Sequence, residues 1–280
     1  VTGRDAATLE LAANVSLLFA ELPYLDRFAA AAQAGFQAVE SWWPFASAVP
    51  ERTEVEGLLR AIGESGIPLL GLNLFAGDME AGERGLVSRP DRQDEFRANL
   101  EVVAGIAAAT GCRVFNALYG QRQPGLTEAE QDAVALENLG LAARRLGDVG
   151  GTVLVEALSV GTNGAYPITT AAGAVEVVRR AREQSGVDGI GFLFDTYHLA
   201  NNGEDLLEVI RRFGGDIAHA QLADTPGRGA PGTGRLDIPA VVDALWSAGY
   251  RGAVAAEYVP AGSTAAGLGW VEGIEHLRLM

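Results

Sequence analysis

The chain has 280 residues, of which 48% are hydrophobic and 20% charged, and its formal net charge is −15. That length suits one α/β barrel, while the charge argues against a nucleic-acid partner, because no basic cluster larger than an Arg-Arg pair is present. No apolar run approaches the roughly 18 residues needed to span a membrane, so no membrane partner is expected, and the single cysteine, Cys112, excludes an internal disulfide and a cysteine-rich metal site.

Residues 1–10, "VTGRDAATLE", lack the apolar core of a signal peptide and read as a disordered or non-native lead-in. Together with the lone cysteine this fits a cytoplasmic protein. Residues 11–280 alternate short apolar runs with longer amphipathic segments. The predicted strands are "LAANV" (11–15), "AVES" (38–41), "LLGLNL" (69–74), "RVFNAL" (113–118), "TVLVEA" (152–157), "IGFLFD" (190–195), "IAHAQL" (217–222) and "AVAAE" (253–257). Intervening segments such as "DEFRANLEVVAGIAAAT" repeat apolar residues at three and four, the helical period. Asp237 stands before Pro239 as a predicted N-cap. Cys112, at the head of the fourth apolar run, reads as a small buried residue rather than a nucleophile.

Eight βα units with near-continuous apolar strands predict a parallel sheet covered by helices. Eight is the number that closes a (β/α)8 TIM barrel, here as a single domain. An open doubly wound sheet is the competing arrangement. It starts with a glycine-rich turn after the first strand, and "AANVSLLFAELP" has none. The longest connection, "FAGDMEAGERGLVSRP" at about residues 75–90, reads either as a cover over the barrel mouth or as a solvated excursion.

In such a barrel the active site forms at the C-terminal ends of the strands. Strand one ends near Asn14, strand two in Glu40, and strand four carries Asn116. Strands five to eight present Glu156, Asp195, Gln221 and Glu257, which are neighbours around the ring. Three carboxylates crowded there repel, and are driven neutral unless a cation compensates them. Oxygen-only ligands favour a hard ion, so the expected cofactor is one divalent metal, Mg²⁺ or Mn²⁺. Gln221 would serve through its amide oxygen or through a metal-bound water.

His198, three residues after Asp195, and Glu40 are candidate substrate contacts. His219 is either a substrate contact or a packed core residue, and His276 a surface residue on the last helix. Arg228, between glycines in "TPGRGAPGTG", is placed to hold a substrate carboxylate bidentately, or else to pair with Asp224 or Asp237. Phe19, Trp42, Trp43, Phe75 and Trp270 are candidate apolar walls, or core. All 21 basic residues are arginines. Without lysine, Schiff-base, pyridoxal-phosphate and Walker-type phosphate chemistry are excluded.

The stretches "AANVSLLFAELPYLDRFAAAAQAGFQAVE", "NLFAGDMEAGERGL", "FDTYHLA", "HAQLADTPGRGAPGTG" and "AEYVP" resemble the hydroxypyruvate isomerases, within the xylose-isomerase-like TIM barrels that also include ketose 3-epimerases. The resemblance runs from about residue 12 to residue 272. It implies one divalent metal on Glu156, Asp195, Gln221 and Glu257, and a proton-transfer pair formed by Glu156 and Glu257. It also implies substrate contacts at His198, Arg228 and Asn73. The chain departs from the pattern at Leu72, Ala157, Gly227 and Val259, positions that bear on substrate rather than on the metal ligands.

The expected chemistry is an aldose–ketose-type isomerisation of a small hydroxy-keto acid through an enediolate, with the metal polarising the carbonyl. The alternatives are a 2-oxo-tetronate isomerase or a ketose 3-epimerase using the same metal and glutamates. A metal-dependent abasic-site endonuclease needs many histidines and a basic face, and a non-catalytic metabolite-binding barrel would tolerate loss of a ligand. The expected partner is thus a small hydroxy-keto acid or sugar. Acidic chains of this kind often self-associate, which adds a homo-oligomer to the expected partners.

Overall fold

The computed structural model describes residues 8–277, 279 and 280. In chain order the elements are β1 (Leu11–Asn14), α1 (Arg27–Gln33), β2 (Ala38–Ser41), α2 (Arg52–Ser65), β3 (Leu69–Asn73), α3 (Gln93–Thr110), β4 (Val114–Asn116) and α4 (Glu128–Gly147). There follow β5 (Thr152–Glu156), α5 (Ala171–Ser185), β6 (Ile190–Asp195), α6 (Thr196–Asn201), α7 (Leu206–Phe213), β7 (Ile217–Leu222), α8 (Ile238–Ser247) and β8 (Val254–Ala256). Each strand pairs in parallel with the next and β8 pairs with β1, so the eight close into a barrel without an edge.

Of the 1–10 lead-in, residues 1–7 lie outside the described residues. Leu9 is buried and donates its N–H to His276 O at 2.8 Å, while Glu10 O accepts from Val254 N–H at 2.8 Å. These two residues therefore belong to the barrel. Among the described residues no helix is long and apolar enough to cross a membrane.

The helices start and stop where local chemistry dictates. Capping boxes open α2 (Glu51 with Glu54) and α4 (Thr127 with Glu130). Asp237 caps α8 by accepting from Ala240 N–H at 3.1 Å, as the sequence predicts. One face of α4 buries Ala135, Leu139, Ala142, Ala143 and Leu146 against the sheet, and each leucine contributes about 1.5–3 kcal/mol.

Two features depart from eight regular units. An extra short helix, α6, springs directly from the end of β6, capped by Asp195. After β8 the chain forms a 3-10 helix at Ala265–Gly273 instead of an α-helix. Glycines at 267, 269 and 273 explain this, because each weakens an α-helix by about 1 kcal/mol relative to alanine. His276 follows that segment, half-buried and stacked on Trp246 with ring centroids 4.5 Å apart.

Strand side chains alternate between faces, so residues two apart share one. Ala12, Ala38 and Ala255 pack together with Leu70 in the barrel lumen. Two residues further along the same strands come Asn14, Glu40 and Glu257. The same parity sets Asn116, Glu156, Asp195 and Gln221 above Val114, Leu154, Leu193 and His219. A small apolar plug thus gives way to a polar layer at the C-terminal end. Gly71 makes room for it: a Cβ there would come within 3.1 Å of both Glu40 Cβ and Val114 Cγ2. Cys112 is fully buried just before β4, and burial pushes its thiol up to about 12, so it is inert as expected.

Candidate active site

A cavity of about 970 Å³ opens at the C-terminal end of the barrel, at the large end of the range for small-molecule sites. Its walls include Asn73, Asn116, Glu156, His198, Arg228 and Glu257. Residues 75–90 form one side of it through Phe75, Met79 and Arg84, so this connection does cover the mouth. Of the five candidate aromatic walls, Trp42, Trp43 and Phe75 line the cavity. Phe19 instead packs edge-on against Phe36, and Trp270 packs against Tyr258, so these two belong to the surrounding core.

Each carboxylate is held by donors from neighbouring strands, loops or its own following helix. Glu156, ending β5, accepts from Asn116 Nδ2 at 2.7 Å through one oxygen. Its other oxygen lies 3.7 Å from His198 Nε2. Asp195, ending β6, uses Oδ1 to accept from Tyr197 N–H at 2.7 Å and His198 N–H at 3.1 Å, and turns Oδ2 toward Arg228. It is therefore a helix cap and a site carboxylate at once. Glu257, just past β8, accepts at Oε1 from Trp42 Nε1 at 2.6 Å and Asn14 Nδ2 at 3.1 Å. Its Oε2 lies 2.9 Å from Arg228 Nη2.

Gln221 sits beside Asp195 in the β6–β7 register. Its Nε2 donates to Glu40 Oε1 at 2.7 Å, which fixes the amide, and its buried Oε1 has no hydrogen-bond partner. Asp195 and Gln221 are absent from the cavity lining, as are Glu40 and His219. Glu40 and His219 bond each other at 2.6 Å below it, and with Asn14 they brace Gln221 and Glu257. Glu40 thus corrects the expectation of a substrate contact, and His219 is the packed core histidine. Parity places His219 one inward layer beneath Gln221, while Glu40, in the layer of Asn14 and Glu257, turns across the lumen to reach His219.

The electrostatics are those of a crowded anionic site that Arg228 offsets in part. Burial, then the charges of Asp195 and Glu257, push Glu156 well above the usual carboxylate range. Burial also raises Glu257, opposed by Arg228 and helped by Asp195 and Glu40. Glu40 goes the other way: burial would raise it, but His219 and the donors of Asn14 and Gln221 outweigh this and hold it low. Burial opposes the charge of Arg228, yet Glu257, Asp195 and Glu156 more than offset this and keep it protonated.

The donor set fits a divalent cation. It offers three carboxylates and an orphaned amide oxygen, all hard oxygen donors. Glu156, Asp195 and His198 bring ligand atoms within 4.8 Å of one another. His198, however, is turned to donate rather than to ligate. Its Nδ1 accepts from Ser159 N–H at 3.0 Å, and burial pushes the imidazole down to about 4. The neutral ring therefore carries its proton on Nε2, facing Glu156. Arg228, expected to hold a substrate carboxylate, instead bridges Glu257 and Asp195. Its guanidinium compensates the charge there.

A family model described as Xylose isomerase-like TIM barrel matches residues 28–280. The chain belongs to that family. A Streptomyces coelicolor protein provisionally named hydroxypyruvate isomerase is 49% identical over 249 residues, covering 88% of this chain and 89% of the relative. The Escherichia coli hydroxypyruvate isomerase is 31% identical, covering 94% and 98%. Relatives at 30–32% identity are named 2-oxo-tetronate isomerases, among them that of Cupriavidus necator. Among solved structures, one described as AP endonuclease, family 2, from Brucella melitensis superposes with a TM-score of 0.85 at 34% identity, over 94% of this chain and 98% of that one.

Residues that sequence reading missed in this site include Ser159, Asn163 and Arg84. The first two lie in "SVGTNG" after β5, where neither residue type nor spacing signals chemistry. Trp42 is the wall the sequence suggests and a donor as well, since its indole N–H donates to Glu257 Oε1.

Proposed function

We propose that the chain is a metal-dependent isomerase of small hydroxy-keto acids, interconverting the keto acid and its aldehyde isomer through an enediolate. The observation that carries this reading is the clustering of Glu156, Asp195 and Glu257, close enough for the other two charges to raise Glu156, with Gln221 beside Asp195 in register and its buried Oε1 unpartnered. These four residues would hold one divalent cation, Mg²⁺ or Mn²⁺. When bound, the ion supplies Lewis-acid polarisation of the carbonyl and charge stabilisation of the enediolate, worth several kcal/mol.

The chain's own residues supply the proton transfer. Isomerisation removes a proton from the hydroxyl-bearing carbon and returns one to the former carbonyl carbon, with the hydroxyl proton passing to the carbonyl oxygen. Glu257 has donors on both oxygens, whereas Glu156 keeps Oε1 free of any short contact. Glu156 is therefore the group that accepts the carbon-bound proton, and burial beside two other acids keeps it basic enough to do so. His198 Nε2–H stands beside it as a neutral donor to substrate oxygen. Trp42, Trp43 and Phe75 exclude water from the enediolate.

The names carried by the relatives support a three- or four-carbon 2-keto acid with an adjacent hydroxyl. The formal charge of −15 favours a small substrate over a nucleic acid. The test is proton NMR of hydroxypyruvate incubated with Mg²⁺-loaded protein in D₂O. Solvent deuterium should enter at the hydroxyl-bearing carbon, and Glu156→Gln should slow this by about a hundred- to ten-thousand-fold. Full-rate exchange by that variant contradicts the assignment.

A further inference from the structure

Three arginines line the cavity, and two of them are already neutralised. Arg228 bridges Glu257 and Asp195. Arg92 pairs with Glu83 and Glu95. Arg84 has no carboxylate partner among the described residues. Its Nε donates to Asn163 Oδ1 at 3.0 Å, and its Nη1 to Met79 O at 2.9 Å and Glu83 O at 2.7 Å. All three acceptors are neutral, and Nη2 has no protein partner among the described residues. A half-buried positive charge therefore faces the cavity uncompensated, with two N–H groups to spare.

The position of Arg84 is built, not incidental. Gly85 N–H donates to Ala76 O at 2.8 Å, and Arg84 O accepts from Gly120 N–H at 3.1 Å. Gly85 has φ 112°, and a Cβ there would lie 1.9 Å from Leu118 O. Only glycine lets the loop press so closely onto the segment after β4. On the side-chain end, Asn163 Nδ2 donates to Ser159 O at 2.9 Å, and Ser159 in turn holds His198. One hydrogen-bonded chain thus ties the guanidinium to the imidazole beside Glu156.

The chemistry of the substrate suits such a group. A keto acid carries its own carboxylate, and with Arg228 and Arg92 already ion-paired, Arg84 is the cavity arginine with N–H groups left to receive it. We propose that Arg84 anchors the substrate carboxylate, so that the opposite end, bearing carbonyl and hydroxyl, is presented to the carboxylate cluster. The same contact selects acids over neutral sugars, which have nothing to offer it. This rests on the isomerase reading above, and it assigns to Arg84 the role the sequence suggested for Arg228.

The test compares wild type with Arg84→Gln and Arg84→Lys, all loaded with Mg²⁺, using two readouts. One is the KM and kcat for hydroxypyruvate; the other is calorimetric binding of glycerate, an unreactive acid of the same length. In Arg84→Gln, KM rises and glycerate affinity falls by about 10- to 100-fold, since hydrogen bonds to charged groups are worth that much. The kcat stays within a few-fold of wild type, Arg84→Lys recovers part of the loss, and Mn²⁺ affinity is unchanged. Arg84→Gln with wild-type KM and glycerate affinity overturns the proposal, as does loss of kcat alone. If wild type exchanges no proton of hydroxypyruvate yet binds glycerate through Arg84, the anchor stands and the isomerase reading falls.

Discussion

Glu156 shows how a single side chain can be wrong for stability and right for chemistry. It is 4% exposed, has one short hydrogen bond, and lies near two other acids. Its folded-state pKa is raised well above the ordinary carboxylate value of 4.5. A raised carboxylate stabilises the fold below its unfolded pKa, and that contribution is lost as pH rises through the folded pKa. The metal-free protein should therefore melt at a lower temperature at about pH 8 than at about pH 5. Glu156→Gln should remove part of that difference and raise the melting temperature at about pH 8 by a few degrees. Thermal melts of metal-free protein at both pH values check this, and a variant less stable than wild type at the higher pH would contradict it. The residue types were legible in the sequence, because Glu156, Asp195, Gln221 and Glu257 all fall at strand ends. Which of the remaining polar residues face the cavity was not. Glu40 looks like the other strand-end acids, and only its contact with His219 places it beneath the site.

At the scale of elements, α6 couples folding to the site. Asp195 Oδ1 caps the helix while Oδ2 faces the cluster, so one substitution can separate the two roles. Asp195→Asn keeps a capping oxygen and loses the charge. Asp195→Ala loses both, at about 0.5–2 kcal/mol for the cap. Circular-dichroism melts should show the alanine variant less stable than the asparagine variant, while both lose divalent-metal affinity by at least tenfold. Equal stabilities would remove the capping role. The loop at residues 75–90 is a second such element. Gly85→Ala meets Leu118 O at 1.9 Å and forces a side chain into positive φ. It should destabilise by more than 1 kcal/mol and raise KM more than it lowers kcat, because the loop carries Arg84 but no proton-transfer group. Steady-state kinetics decide this; a wild-type KM would show that the loop does not position substrate. The strands were read within a few residues, since short, near-continuous apolar runs between amphipathic segments leave little choice. The α6 insertion and the closing 3-10 helix were not. Both depend on a few residues, Asp195 in one case and the glycines at 267, 269 and 273 in the other, whose effect appears only in tertiary context.

For the whole molecule, the barrel explains why eight separate strands can build one site. Parallel closure brings β1 to β8, so Asn14 reaches Glu257 across 243 residues of sequence. Parity then sets small alanines low in the lumen and acids above them, with the helices and their apolar faces sealing the outside. The closed barrel was predictable from the count of βα units. The identity of its internal counter-cation was not, because Arg228 lies on a loop whose path no periodicity encodes. That arginine now compensates Glu257 and Asp195, the place a metal is expected to serve. The most direct test is a calorimetric titration of metal-free protein with Mn²⁺, set beside the same titration of an Asp195→Asn, Glu257→Gln double variant. The account predicts one ion per chain bound by wild type and none by the variant. One ion bound equally well by both, or none bound by wild type, would contradict it.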